Sequence, residues 1–220
     1  MPDESSPASS SPPNLHKLSV QEFLSRLAEK TATPGGGSVA ALTGALAAAQ
    51  AHMVLAYTIG KPKLAAYEKE LKEQSSRLLA AVNLFIELME TDAAAYELLN
   101  PLLKLSPSDR RNNPQFAPTL LAAIRIPQSV CAAGAQVLLA CTELVDISNP
   151  QLVSDLGVAA SLANAAVQTA ALNVHVNLAL LDDAAEAQQL REEISSITRR
   201  SAVVWKDFSQ KISDRLNATE

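Results

Sequence analysis

One carboxylate stands where an apolar residue belongs. Leu71, Ser75, Leu78, Val82, Phe85, Met89, Asp92, Tyr96 and Leu99 recur in alternating steps of four and three, the seam of a long helix. Asp92 falls inside that seam, within "ELMETDAAAY". An unpaired buried carboxylate costs on the order of several kcal/mol or raises its own pKa. A carboxyl so raised can take up and return a proton near neutral pH, which makes Asp92 a candidate general acid or base. The plainer alternative is an Asp92 that pairs with another core polar group or borders solvent.

A second grouping is "TATPGGGS", Thr31 to Ser38, which spends three of the chain's seven glycines in a row. A phosphate loop needs a lysine after the glycines and a strand before them, and this stretch has neither. A membrane span is the next candidate, because the residues after the glycines carry no Asp, Glu, Lys or Arg as far as Gly60. Thr43, Gln50, His52, Tyr57 and Thr58 interrupt that run, so burial at the centre of a helical bundle explains it better. The third reading is a ligand-facing rim, Thr33 to Ser38, where bare backbone and the free N–H groups of a helix start meet a substrate. A tight turn needing one positive φ is the bland competitor. Gly44, Ala48 and His52 follow at four-residue steps, a small face that lets another backbone or a second subunit come close.

The third grouping lies late in the chain. Asn173 and Asn177 sit four apart in "ALNVHVNLAL", on one face of an apolar run, and buried amides need partners. "SNPQLVSDLGVAA" opens that run with Asn149, Ser154 and Asp155, of which Ser154 or Asp155 is a natural helix N-cap. His16, His52 and His175 show no metal-ligand spacing, so no metal is expected.

The elements that position these residues read as helices. The chain is 48% hydrophobic but only 4% aromatic, and its Ala and Leu are the best apolar helix formers. Residues 1–14 are Ser/Pro-rich and read as a disordered tail. A capped helix begins at Ser19, with Glu22 three residues on, and presents Val20, Phe23, Leu24 and Leu27. Helices follow at about 38–59, with Ser38 as N-cap, at 64–99, at 116–145 with a bend at Pro127, at 155–181 and at 184–216. The expectation is an all-α antiparallel bundle of five to six helices with an Ala-rich core, one domain over 15–220.

A net charge of −5 gives no footprint for nucleic acid or an anionic membrane. Cys131 and Cys141 lie about 15 Å apart along one helix, beyond disulfide reach. Free thiols and the lack of a signal peptide point to the cytoplasm.

"TPGGGSVAALTGALAAAQAHMV" with "TIGK", then "ELMETDAAAY", Ile126-Pro127, "SNPQLVSDLGVAA" and "ALNVHVNL", in that order, resemble the cyclodeaminase/cyclohydrolase family. The resemblance implies an all-helical homodimer acting on a tetrahydrofolate one-carbon derivative, with no cofactor beyond that substrate. It implies Asp92 as the catalytic acid/base and Thr33, Pro34, Gly35, Gly36, Gly37, Ser38, Asp155, Asn173 and Asn177 as substrate-binding positions. "GKPKL" departs from the family's basic-aromatic run, and Lys61 remains as a candidate contact for a polyglutamylated tail.

Two activities fit. Opening 5,10-methenyltetrahydrofolate with water is preferred, because only 14 residues precede the bundle and no transferase half is expected. Ammonia elimination from 5-formiminotetrahydrofolate is the alternative. A non-catalytic folate-binding or scaffold protein is the rival of another class.

Overall fold

The computed structural model describes residues 14–217, so the predicted tail lies outside the described residues except for Asn14. Among the described residues there are seven α-helices and no strand. They are α1 (Val20–Ala28), α2 (Gly36–Ala56), α3 (Glu68–Leu103), α4 (Pro107–Asn112), α5 (Phe116–Leu144), α6 (Val153–Leu178) and α7 (Ala184–Asn217). Short 3-10 turns at Leu15–Lys17, Pro62–Tyr67 and Pro150–Leu152 link them.

The expected boundaries shift by a few residues, and the two helix starts shift for a reason. At α2 the N-cap is Gly35, and Ser38 already lies inside the helix. At α6 the turn Pro150–Leu152 precedes the helix and Asn149 caps it, its side chain accepting from the Gln151 N–H. Neither Ser154 nor Asp155 is therefore an N-cap. The Ser19–Glu22 capping box forms as expected. Its helix buries only Phe23 and leaves Val20 and Leu24 exposed.

Helices α2, α3, α5 and α6 pack around one core in that cyclic order, and α7 lies across α5 and α6. Alanine lets α2 and α6 run close, through Ala40, Ala47, Ala51, Ala159, Ala163 and Ala170, all fully buried. Gly44 sits under the Phe85 ring, where an added Cβ would lie 2.4 Å from the aromatic edge. The small face of α2 thus serves α3 of the same chain.

Helix α5 continues through Pro127. Proline lacks the N–H that would pair with the carbonyl four residues back, which here belongs to Ala123. The Asn177 Nδ2 donates to that oxygen at 2.8 Å, so a side chain of α6 replaces the missing backbone donor. By length and composition α2 and α5 are apolar enough to cross a bilayer, and half of that stretch in each is buried inside the bundle.

Candidate active site

Ser38 and Asp92 meet where α2 begins. The Ser38 hydroxyl donates to Asp92 Oδ2 at 3.1 Å, and the Ser38 backbone N–H also bonds the carboxylate. Asp92 from α3 thereby occupies the unpaired donors at the start of a neighbouring helix, a favourable place for negative charge. Burial nevertheless dominates and raises the Asp92 pKa above its ordinary value, with the two Ser38 bonds pulling the other way. The carboxyl is half-buried and, among the described residues, shares no ion pair with a cation. These are the conditions under which a carboxyl exchanges protons nearer neutrality.

None of the three glycines has a positive φ; among the described residues that belongs to Gly60 alone. They are small because side chains approach them. A Cβ on Gly37 would lie 2.0 Å from Asp92 Oδ1, and one on Gly36 would lie 3.1 Å from Asn173 Oδ1. Gly35 differs: its Cβ would meet only the Ala32 carbonyl, at 3.8 Å. The fold therefore dictates glycine at 37, favours it at 36 and leaves 35 free to serve the open space in front of it.

That space is a cleft of about 260 Å³. Thr33, Gly35, Gly36, Gly37, Asp92, Tyr96, Asn173 and Asn177 line it, with Ala32, Ala123 and Val176. Thr33 is fixed by donating to Glu97 Oε1 at 2.8 Å. The Asn173 Nδ2 donates to the Thr169 carbonyl at 2.9 Å, as Asn177 does to Ala123. Carbonyls only accept, so each amide commits one N–H to a carbonyl and retains Oδ1 as an acceptor and a second N–H as a donor. Two amide acceptors, one carboxyl and the bare start of α2 make a lining suited to a flat ligand rich in N–H groups.

The other expected contacts fall elsewhere. Pro34 is buried behind the rim, and Ser38 reaches the cleft through Asp92. Asp155 accepts from Gln50 Nε2 at 2.9 Å, on the half of α2 toward its C-terminal end. Lys61 lies beyond that end, and the 21 residues of α2 put about 31 Å between the two ends. Asp155 and Lys61 are therefore not part of the same chain's cleft. Tyr96 was legible only as a seam residue, yet it lines the site one turn from Asp92. Its signal was the i, i+4 spacing.

A larger groove, about 610 Å³, lies outside α3 and α5. Its acid, Glu143, is already held by Gln74 at 2.8 Å, and the groove lacks the glycine rim. Among the described residues, no group of three or more His, Cys, Asp or Glu is placed to hold a metal ion.

The chain is similar to known proteins over most of its length. The model of the formiminotransferase-cyclodeaminase family matches residues 19–196. A methenyltetrahydrofolate cyclohydrolase of Methylorubrum extorquens is 28% identical over 205 residues, covering 90% of this chain and 97% of that protein. The formimidoyltransferase-cyclodeaminase of Sus scrofa is 31% identical over 94% of this chain, which spans only 38% of that longer protein. The crystal structure of formiminotetrahydrofolate cyclodeaminase from Thermotoga maritima superposes with a TM-score of 0.78 at 26% identity, covering 93% of this chain and 98% of the other.

Proposed function

The chain belongs to the formiminotransferase-cyclodeaminase family, and from that premise we propose that it is a methenyltetrahydrofolate cyclohydrolase with Asp92 as its acid/base. The observation that carries the chemistry is one raised-pKa carboxyl, anchored by Ser38 and facing a glycine-rimmed cleft. The preference for the cyclohydrolase rests on the Methylorubrum extorquens relative, matched over nearly its whole length.

In the 5,10-methenyl substrate one carbon bridges two nitrogens and carries positive charge. Ionised Asp92 takes a proton from a water as the water oxygen bonds that carbon. The proton then passes to N5 as the carbon–N5 bond breaks, and the hydroxyl on the carbon releases its remaining proton to solvent as the formyl C=O forms, which leaves 10-formyltetrahydrofolate and returns the carboxylate. The Ser38 hydroxyl and N–H hold the carboxylate through both steps. The amide oxygens of Asn173 and Asn177 suit the amino and lactam N–H groups of the bicyclic ring.

The same carboxyl serves cyclodeamination, and the full-length match to the Thermotoga maritima enzyme favours that second reading. There N10 attacks the carbon of the protonated formimino group, and Asp92 carries the N10 proton to the formimino nitrogen, which leaves as ammonia. Neither step draws on a cofactor besides the folate. We further propose a homodimer, as the family resemblance implies, in the cytoplasm, where the free buried thiols of Cys131 and Cys141 fit a reducing compartment.

Both substrates given to the purified protein decide between them. Loss of methenyl absorbance faster than in buffer supports the cyclohydrolase. Ammonia release from formiminotetrahydrofolate with no such bleaching supports the cyclodeaminase. Neither signal from well-folded protein removes both.

A further inference from the structure

The glycine strip before α2 is bare backbone, yet it must keep one shape to meet a ligand. Glycine has more conformational freedom to lose on folding than any other residue, so three in a row are poorly ordered by their own chain. The last two begin α2, whose inner face is buried from Gly37 to Leu55. Upstream the strip hangs on α1, which packs along none of the other helices. That helix buries only Phe23 and leaves Val20 78% and Leu24 57% exposed. The residues between add little, because Thr31 bonds only back to the Arg26 carbonyl and on to that of Thr33.

Two bonds from α3 fasten the strip, one at either end. Ser38 donates to Asp92 Oδ2 at 3.1 Å, and Thr33 donates to Glu97 Oε1 at 2.8 Å. Thr33 precedes Ser38 by five residues and Glu97 follows Asp92 by five. The strip and α3 therefore run in opposite directions, with a hydroxyl–carboxylate pair at each end. Between the pairs lie Pro34 and the three glycines, which have no polar side chain of their own. Among the described residues, the Thr33 bond is the only hydrogen bond or ion pair from residues 29–34 to the core helices.

The two pairs serve different ends. Asp92 is half-buried and faces the cleft, where the proposed chemistry occupies it. Glu97 is exposed and lies outside the cleft lining, so its effect reaches the cleft through Thr33, which does line it. A carboxylate that accepts from a hydroxyl makes a charge-assisted bond, stronger than a neutral one. The rival account is that the burial of Pro34 holds the strip by itself and the Thr33 bond is an idle surface contact.

We propose that Glu97 is a positioning residue, which clasps the upstream end of the glycine strip through Thr33 and fixes the strip before Asp92. Resting on the folate reading above, a strip held in advance spares the cost of ordering it when substrate binds. It therefore sets affinity for the substrate rather than the rate of its conversion. Helix α3 then carries the acid/base at Asp92, a wall of the cleft at Tyr96 and the clasp at Glu97, so one element fixes all three relative to one another.

Four variants of the full chain test this. Glu97→Ala should raise KM about fivefold, the scale of losing one partly exposed charge-assisted hydrogen bond. Its kcat should stay within about twofold of native, because the Ser38–Asp92 pair remains. Glu97→Gln keeps an acceptor oxygen and should restore most of the native KM. Thr33→Val removes the donor and should match Glu97→Ala, and the double variant should be no worse than either, as two ends of one bond require. Amide order parameters of Gly35, Gly36 and Gly37 should fall from about 0.85 to below about 0.6 in Glu97→Ala. The melting temperature should hold within about two degrees, since the bond lies at the surface.

An unchanged KM in Glu97→Ala, or glycines as rigid as in the native chain, overturns the proposal and leaves the strip to Pro34. So does a double variant whose KM rise multiplies those of the single ones, because Thr33 then meets the substrate on its own account. A joint fall in kcat and melting temperature also overturns it, as the mark of a loosened bundle. A native chain inert toward both folates removes the folate reading and the role in affinity. Loosened glycines in Glu97→Ala then leave the clasp standing, and rigid ones overturn it as well.

Discussion

At the scale of single residues, the site turns on how Asp92 is charged. Burial raises its pKa in the folded state above the ordinary value, so the folded chain holds that proton more tightly than the unfolded chain. Its stabilising contribution is present below the usual Asp range and is lost as pH rises through the folded pKa. Ionised Asp92 is then a net cost at neutral pH. Asp92→Asn should melt at the same or a higher temperature than the native chain at pH 7, with the gap closing in acid. Turnover should fall by about 10²–10⁴, the usual share of a general acid/base, and the rising acidic limb of the pH–rate profile should vanish. A folded Asp92→Asn protein with full turnover would remove Asp92 from the mechanism. The glycines divide likewise. Gly37→Ala drives a Cβ into Asp92 and should lower both melting temperature and activity. Gly35→Ala should leave melting within a degree or so of native and raise KM, since its Cβ enters the cleft rather than the protein.

At the scale of elements, a proline and an asparagine act as a pair. Pro127 leaves the Ala123 carbonyl without its helical donor, and Asn177 supplies one from α6. Asn177→Leu strands that buried oxygen at about 1–3 kcal/mol. Pro127→Ala restores a backbone N–H within hydrogen-bonding reach. The two changes should therefore be non-additive: Asn177→Leu should cost clearly less stability in the Pro127→Ala background than in the native one. Chemical denaturation of the four variants measures the coupling, and a coupling near zero would break the pairing. Ala123 and Asn177 both line the cleft, so this repair also fixes the distance between α5 and α6 at the site.

At the scale of the whole molecule, the core is sealed around its thiols. Cys131 donates to the Val167 carbonyl, and burial pushes the thiols of Cys131 and Cys141 up to about 12. Neither should react with a thiol reagent at pH 8 until the chain unfolds, so labelling should track the global unfolding curve. Labelling in native buffer at the rate of a free thiol would mean that α5 opens locally.

Periodicity and composition carried the fold. The four-and-three seam of α3, the Ala-rich runs and the Ser19 box are local patterns, because a helix buries one face whatever lies against it. The oddity of Asp92 in that seam was legible for the same reason. What the sequence could not carry was which distant residues share a place. Asn173 and Asp155 look alike along α6, yet they stand at its two ends, one beside Gly36 and the other on Gln50. A tight turn needing positive φ was the bland competitor for the glycine run, whereas packing shows helical and extended backbone kept bare for Asp92 and Asn173. Ser38 had the look of a cap for its own helix and instead holds a carboxylate from α3. Local order is written in neighbouring residues; the partners of a buried polar group are chosen by the packing of helices far apart in the chain.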